Sequence, residues 1–327
     1  MAKDYTICVG TVGGGLSQSP DGGDTWNRIR SPLPVECNVR ALAVYPDNPH
    51  RILAGSDNGI YRSEDNGATW DMLDSPMDGL QIWSLTVDPL DPDMIFAGTR
   101  PEAFRSKDGG KRWDKLSLGV ANPCPVGVPR TTQMIVDPRD SRTIWAGIEV
   151  DGIHKSLDGG DTWVRLPDLG PDPFHGDIHG MAISPGHSTT IYATTPYGLA
   201  TSTDEGESWA YHEFPKYNER EKWSYCRGMA LKADDPSVIF VGNGDTLPGM
   251  TGDIRISKDG GKTWETADLA VAPNSRIYGF ATQPAIPNVI VAASIYGYVY
   301  TSEDGGETWQ KLRKEFGEIR TLALMPN

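Results

Sequence analysis

The sequence predicts an all-β protein, one seven-bladed β-propeller domain over residues 1–327, with four-stranded antiparallel blades and a ring closed by the C-terminal strand. Three observations predict it. A short box of serine, aspartate, glycine and tryptophan recurs seven times, starting at Ser19, Ser63, Ser106, Ser156, Ser202, Ser257 and Ser302. Successive boxes lie 43 to 55 residues apart, the length of one blade. The chain also opens on a strand with no inner neighbour before it and ends on a strand with nothing after it.

The second repeat shows how each blade is read. "VRALAVYPDNP" is an apolar run ending at a turn and gives strand A. "RILAGSDNG" and "IYRSEDNG" are short strands ending in Asn-Gly turns and give strands B and C, and "TWDMLD" gives strand D. Four short strands separated by Gly, Asp, Asn and Pro turns form an antiparallel meander. The box lies in the C–D hairpin, where glycine permits positive φ and aspartate bonds nearby backbone N–H groups. Its tryptophan opens strand D and is placed to cover the join with a neighbouring blade. Closure follows from the ends: "YTICVGT" is a strand B without a strand A, and "IRTLALMPN" is a strand A without a blade. Ile319 to Met325 should therefore be the inner strand of the blade that carries Tyr5 to Arg30, leaving no open edge.

These boxes resemble the Asp-box, or BNR, repeat, S-x-D-x-G-x-T-W, with Arg112 and Ser208 standing where threonine is usual. The resemblance implies a propeller whose boxes lie at the outer rim of one face and are structural, with function at the central funnel of the opposite face.

Composition narrows the partners. A net charge of −14 argues against nucleic acid and anionic membranes. No apolar run reaches the roughly 20 residues of a membrane helix. The start "MAKDYTICVG" has no signal-peptide pattern, so the expected location is cytoplasmic, and a monomer suits the closed ring. Cys8, Cys37, Cys124 and Cys226 are widely spaced and read as free thiols.

Aligning the seven A strands isolates the positions where the repeats differ. One position reads Arg320, Arg40, Trp83, Thr132, His179, Arg227 and Tyr278 for blades one to seven. Two residues earlier stand Glu318, Asn38, Gln81, Arg130, Asp177, Tyr225 and Arg276, on the same face if the period of two holds. Two residues later stand Leu322, Leu42, Leu85, Met134, Met181, Met229 and Phe280, expected as interblade core. Three arginines among seven equivalent positions, from 18 in the chain, are more than chance supplies. Arg40, Arg227 and Arg320, with Arg130 and Arg276 nearby, can hold a carboxylate or phosphate, with Trp83 as a stacking wall. The same arginines can instead pair with carboxylates of the B–C turns such as Glu149, Asp245 or Asp57.

Three other groups carry candidate chemistry. His179, oriented by Asp177, can act as general acid or base. Tyr278 stands beside arginines that favour its phenolate. His175, Asp177 and His179 alternate along "FHGDIHG" and could hold a divalent metal, although no cofactor is required. The connections after Trp113, Trp163 and Trp209 are the long ones, and "YHEFPKYNEREKW" is the lid candidate. The sixth blade adds a long B–C loop, "GNGDTLPGMTGD".

Two functional classes fit. The chain is similar to sialidases, Asp-box propellers with an arginine triad and a tyrosine nucleophile, but it has seven blades rather than six. It lacks their arginine–Ile/Leu–proline opening. Seven-bladed lyases of uronic-acid sugars share the fold and neutralise a carboxylate while His or Tyr takes the α-proton. These resemblances imply an enzyme, hydrolase or lyase, on a small anionic substrate, a sugar acid or glycoside. The chain also resembles the photosystem II assembly factors, non-catalytic propellers of the same blade count with a basic patch, which implies a binding scaffold. Sortilin-type propellers have more blades and cysteine-rich modules.

Overall fold

The computed structural model describes residues 3–100, 102–120, 127–185, 189–220, 223–247 and 249–327. Cys124 lies outside them, and Cys8, Cys37 and Cys226 are free and buried. Seven four-stranded antiparallel sheets follow one another in chain order, each with strand order A-B-C-D. The second blade, for example, comprises Val39–Val44, Ile52–Ser56, Gly59–Ser63 and Asp71–Leu73. The C-terminal strand Ile319–Pro326 pairs along its length with Tyr5–Thr11 and completes the first blade. The seam is fastened further by the Tyr5 hydroxyl, which donates to Glu303 of the seventh blade at 2.9 Å, and by Asn66 Nδ2, which donates to the Pro326 carbonyl at 2.9 Å.

Each box is a small hydrogen-bonded unit. In the fourth blade, Ser156 Oγ donates to Asp158 and accepts from Gly160 N, each at 2.8 Å. Asp158 in turn accepts from Thr162 N at 2.8 Å and from the Thr162 hydroxyl at 2.6 Å. At the third box, Arg112 keeps the backbone bond to Asp108 but has no hydroxyl for the second. The box tryptophans cover the interblade joins as expected. Trp70 packs with Cys8 and Leu16 of the first blade, and Trp309 meets Phe240 of the sixth edge to face at 6.1 Å between centroids. The apolar core is accordingly a ring of seven clusters, each shared between adjacent blades.

Candidate functional site at the propeller axis

The ladder between strands A and B breaks at one level in every blade. Arg40, Trp83, Thr132, Tyr278 and Arg320 are each the extra residue of a β-bulge against strand B. In the fifth blade His179 N bonds to Thr194 O while Gly180 is also registered on Thr194. In the sixth, Arg227 N bonds to Gly242 O and Gly242 N bonds back to Gly228 O. A bulge turns the strand and re-aims one side chain. Here it aims one residue per blade at the axis, and all seven line a single central cavity of about 240 Å³.

The bulge also corrects two expectations. It breaks the period of two, so none of the seven earlier residues lines the cavity; Arg130 and Arg276 lie instead against the rings of Trp83 and Tyr278, and Asp177 against His179. The residues two positions later do line it, except Met134, so they form its apolar lower wall rather than interblade core alone. Close approach of strands is needed on one side. A Cβ on Gly228 would lie 2.6 Å from Gly279 Cα and from Tyr278 O, so only glycine lets the sixth and seventh inner strands come together.

Several arginines are already paired. Arg40 pairs with Asp57, which Asn38 also holds; Arg130 pairs with Glu149, and Arg320 with Glu318. Asp57 and Glu149 come from B–C turns, whereas Asp245 instead accepts from Met250 N in its own loop at 2.9 Å. Trp83 is flanked by guanidiniums, with Arg130 at 4.1 Å, Arg40 at 5.2 Å and Arg320 at 5.6 Å from its ring centroid. It is thus a cation–π hub, and the free stacking wall expected from sequence is partly taken.

The metal reading fails on geometry. Pro173–Gly176 is a 3₁₀ turn capped by Asp172, not a strand, so His175 does not alternate with Asp177 and His179. Its ring stacks on Tyr197 at 4.4 Å, and Nδ1 is bonded to the Asp172 backbone. Among the described residues no group of three or more His, Cys, Asp or Glu could hold a metal ion.

His179 is not a free base either. Nδ1 lies 2.6 Å from the Cys226 carbonyl, an obligate acceptor, so Nδ1 carries the proton. Nε2 lies 3.1 Å from both Asp177 Oδ2 and the Tyr225 hydroxyl. Burial lowers the imidazole pKa below its usual range against the pull of Asp177. Both nitrogens are engaged, Nδ1 donating to the Cys226 carbonyl and Nε2 accepting from the Tyr225 hydroxyl, so His179 ties the fifth blade to the sixth, and Asp177 lies beside Nε2.

A second cluster centres on Tyr278. Arg227 and Arg320 both donate to its hydroxyl, at 3.1 and 3.0 Å, and their guanidiniums lie 4.9 and 5.1 Å from its ring centroid. Burial alone would raise this phenol, but the two cations and their hydrogen bonds outweigh it and bring the pKa down to about 7. Tyr225, one blade earlier, is pushed up to about 12, mainly by burial. The two tyrosines are thus shifted in opposite directions, Tyr278 by its arginines and Tyr225 by burial. The contact of the Tyr225 hydroxyl with His179 was not anticipated from the sequence, which placed Tyr225 only in the row two residues before the axial one.

The long connections surround this side only in part as expected. Ala210–Glu213 of the lid candidate is strand D of its blade, and Phe214 is buried edge to face against Trp264 at 4.9 Å. Trp223 at its far end meets Tyr197 at 5.6 Å and Tyr225 at 6.1 Å. The segment is therefore anchored at both ends, and Glu221 and Lys222 lie outside the described residues.

Comparison with known proteins agrees with the repeat. The BNR/Asp-box repeat family matches residues 255–266 and 300–311, and the sortilin (neurotensin receptor 3) Vps10 family matches residues 14–143. A probable oligoxyloglucan-reducing end-specific xyloglucanase of Neosartorya fischeri is 27% identical over 182 residues, covering 45% of this chain and 22% of that protein. The GH74 xyloglucanase of Xanthomonas campestris superposes with a TM-score of 0.67 at 18% identity, covering 98% of this chain and 52% of that one. YCF48 of Cyanidioschyzon merolae superposes with a TM-score of 0.64 at 17% identity, covering 90% and 97%. The chain thus spans 22% of the curated relative, about half of the GH74 enzyme and nearly all of YCF48, and these structural likenesses are likenesses of fold.

Proposed function

We propose that this protein, a β-propeller of the BNR/Asp-box-repeat superfamily, binds a small carboxylated molecule of sugar-acid size at its axis and removes the proton next to the carboxylate. The observation that carries this reading is the donation of two guanidiniums, Arg227 and Arg320, to one buried phenol held near neutrality. The cavity, about 240 Å³, is smaller than the roughly 300–1,000 Å³ of drug-sized sites and suits one sugar ring. The similarity to glycan-active enzymes supports a saccharide, and the arginines support an acidic one.

The chemistry follows from the wall. The arginines neutralise the substrate carboxylate, which acidifies the adjacent C–H. The Tyr278 phenolate takes that proton; the electron pair forms a C=C bond as the C–O bond to the leaving sugar breaks. Tyr278, now protonated, returns the proton to the leaving oxygen. Elimination is favoured over hydrolysis by a carboxyl pair, which needs one carboxylic acid held protonated and one free carboxylate. At this site Asp57, Glu149 and Glu318 are paired with arginines, and Asp177 lies 3.1 Å from His179 Nε2.

The test is incubation with short oligouronides while following the ultraviolet absorbance of the unsaturated product. Wild type should form it, and Tyr278→Phe should slow turnover by about 10²–10⁴. Arg227→Ala should weaken substrate binding by about 1.5–3 kcal/mol. Binding without turnover would support the second reading, a non-catalytic module; the full-length match to YCF48 favours that reading. Absence of anion binding would sink both.

A further inference from the structure

A second cavity, about 560 Å³, opens at the other end of the axis. Its wall carries no charged side chain, in contrast to the arginine-lined funnel. It is off-centre: apart from Ala230 of the sixth blade, only blades one, two and seven contribute. Two long A–B connections reach it, whereas the equally long connection 88–94 of the third blade does not. In the fourth and sixth blades strands A and B are joined by two-residue turns, 138–139 and 233–234. In the second and seventh blades the same connections run over 45–51 and 282–289, and Pro46, Pro49 and Pro284 from them face the cavity. Proline fixes φ, so these walls are set before any ligand arrives. The cavity's polar wall groups are the hydroxyls of Tyr45 and Thr282 and the amide of Gln283, 7% exposed, whose Oε1 accepts from Ala285 N at 3.4 Å.

The two cavities share three wall residues, Leu42, Phe280 and Leu322. Each lies two positions along its strand from Arg40, Tyr278 or Arg320, respectively. We propose that the lower cavity is a binding site for a small neutral apolar molecule carrying one hydrogen-bonding group for Gln283, and that its occupancy is transmitted to Tyr278 through Phe280. The volume lies within the range of ordinary small-molecule sites, and an apolar wall without charge discriminates against ions. The inference does not depend on the reaction proposed for the funnel.

The probe is N-phenyl-1-naphthylamine, a neutral amine whose fluorescence rises in apolar surroundings. Wild type should bind one equivalent saturably. Ala285→Trp, at an exposed loop position, and Ala230→Phe should each fill the cavity and weaken binding about tenfold or more, with circular dichroism confirming the fold. Arg227→Ala, which alters only the funnel, should still bind one equivalent of the probe, with an affinity shifted only by its coupling to Tyr278. Bound probe should also move the phenolate titration midpoint of Tyr278. No saturable binding, binding unchanged in both filled variants, or loss of binding in Arg227→Ala would overturn the site, and an unmoved midpoint would overturn the coupling. None of these outcomes depends on whether the funnel is catalytic.

Discussion

Tyr278 offers the sharpest test of the electrostatic argument. Its pKa falls from an ordinary 10.0 to about 7 although burial pushes the other way. A drop of that size corresponds to about 4 kcal/mol of preference for the phenolate. The preference comes from two donors and two charges, so removing one of each should recover a large part of it. Arg320→Met keeps most of the side-chain volume, deletes the 3.0 Å donor and leaves Glu318 without its partner. Both changes disfavour the phenolate, and the midpoint should climb by about 1.5 pH units. The assay is the ultraviolet absorbance of phenolate against pH, with Tyr278→Phe subtracted to isolate one of the 12 tyrosines. Folding lowers this group's pKa, so between about pH 7 and 10 the folded state has lost a proton that the unfolded chain retains. The stability Tyr278 contributes therefore rises across that window, is complete above it, and is lost as the pH falls through about 7. Tyr278→Phe should abolish this slope. A wild-type protein in which no tyrosine titrates below about pH 9, or an Arg320→Met midpoint equal to wild type, would refute the reasoning.

The remaining predictions concern the frame. Deleting Ile319–Asn327 removes the buried Ile319, Leu322, Leu324 and Met325 and exposes the Tyr5–Thr11 edge, so cooperative thermal unfolding should be lost; an unchanged melting temperature would contradict closure. Asp158→Ala should lower the melting temperature and leave anion binding intact, because its three bonds all lie within the rim box. Hydrogen bonds from Thr162 and Ser156 lower Asp158 to about 2, and corresponding bonds do the same for Asp204 and Asp259. Their contribution is thus present above about pH 4 and lost as the pH falls through about 2, and melting curves recorded across that range should show the decline.

Much of the fold was legible because it is written seven times. Each box carries its own hydrogen-bonding logic, and the surplus strand at Ile319 could pair only with the blade that lacked one. The axial row was legible for the same reason: aligned repeats put Arg40, Trp83, Thr132, His179, Arg227, Tyr278 and Arg320 at one level without any knowledge of distance. What failed was the step from that row to its neighbours. A period of two assumes an unbroken ladder, and a bulge in every blade took Arg130, Asp177 and Arg276 out of the cavity lining. The 3₁₀ turn at Pro173–Gly176 removed His175 in the same way, since alternation means nothing where the chain is not extended. Charge pairing was only half visible, because Asp57, Glu149 and Asp245 occupy equivalent turns and only the fold decides which of them reaches an arginine.

That pairing bears on what the axis can do. A ring with five unpaired arginines would bind any anion, strongly and with little discrimination. Here Arg40, Arg130 and Arg320 each have a carboxylate, whereas Arg227, 8% exposed, donates to Tyr278. When Tyr278 is ionised, it supplies the compensating charge itself. An incoming carboxylate that takes over this role favours return of a proton to Tyr278, and a proton taken from the ligand relieves the same imbalance from within the complex. Under the proposed function, anion binding and proton transfer are thereby coupled through one phenol. The coupling predicts that affinity for a non-reactive carboxylate falls as the pH rises through about 7, where the phenolate begins to compete for Arg227 and Arg320. Calorimetric titration on either side of that pH, with Tyr278→Phe as the pH-independent control, measures it. Equal affinity on both sides in wild type would separate the two events and return Tyr278 to a structural role.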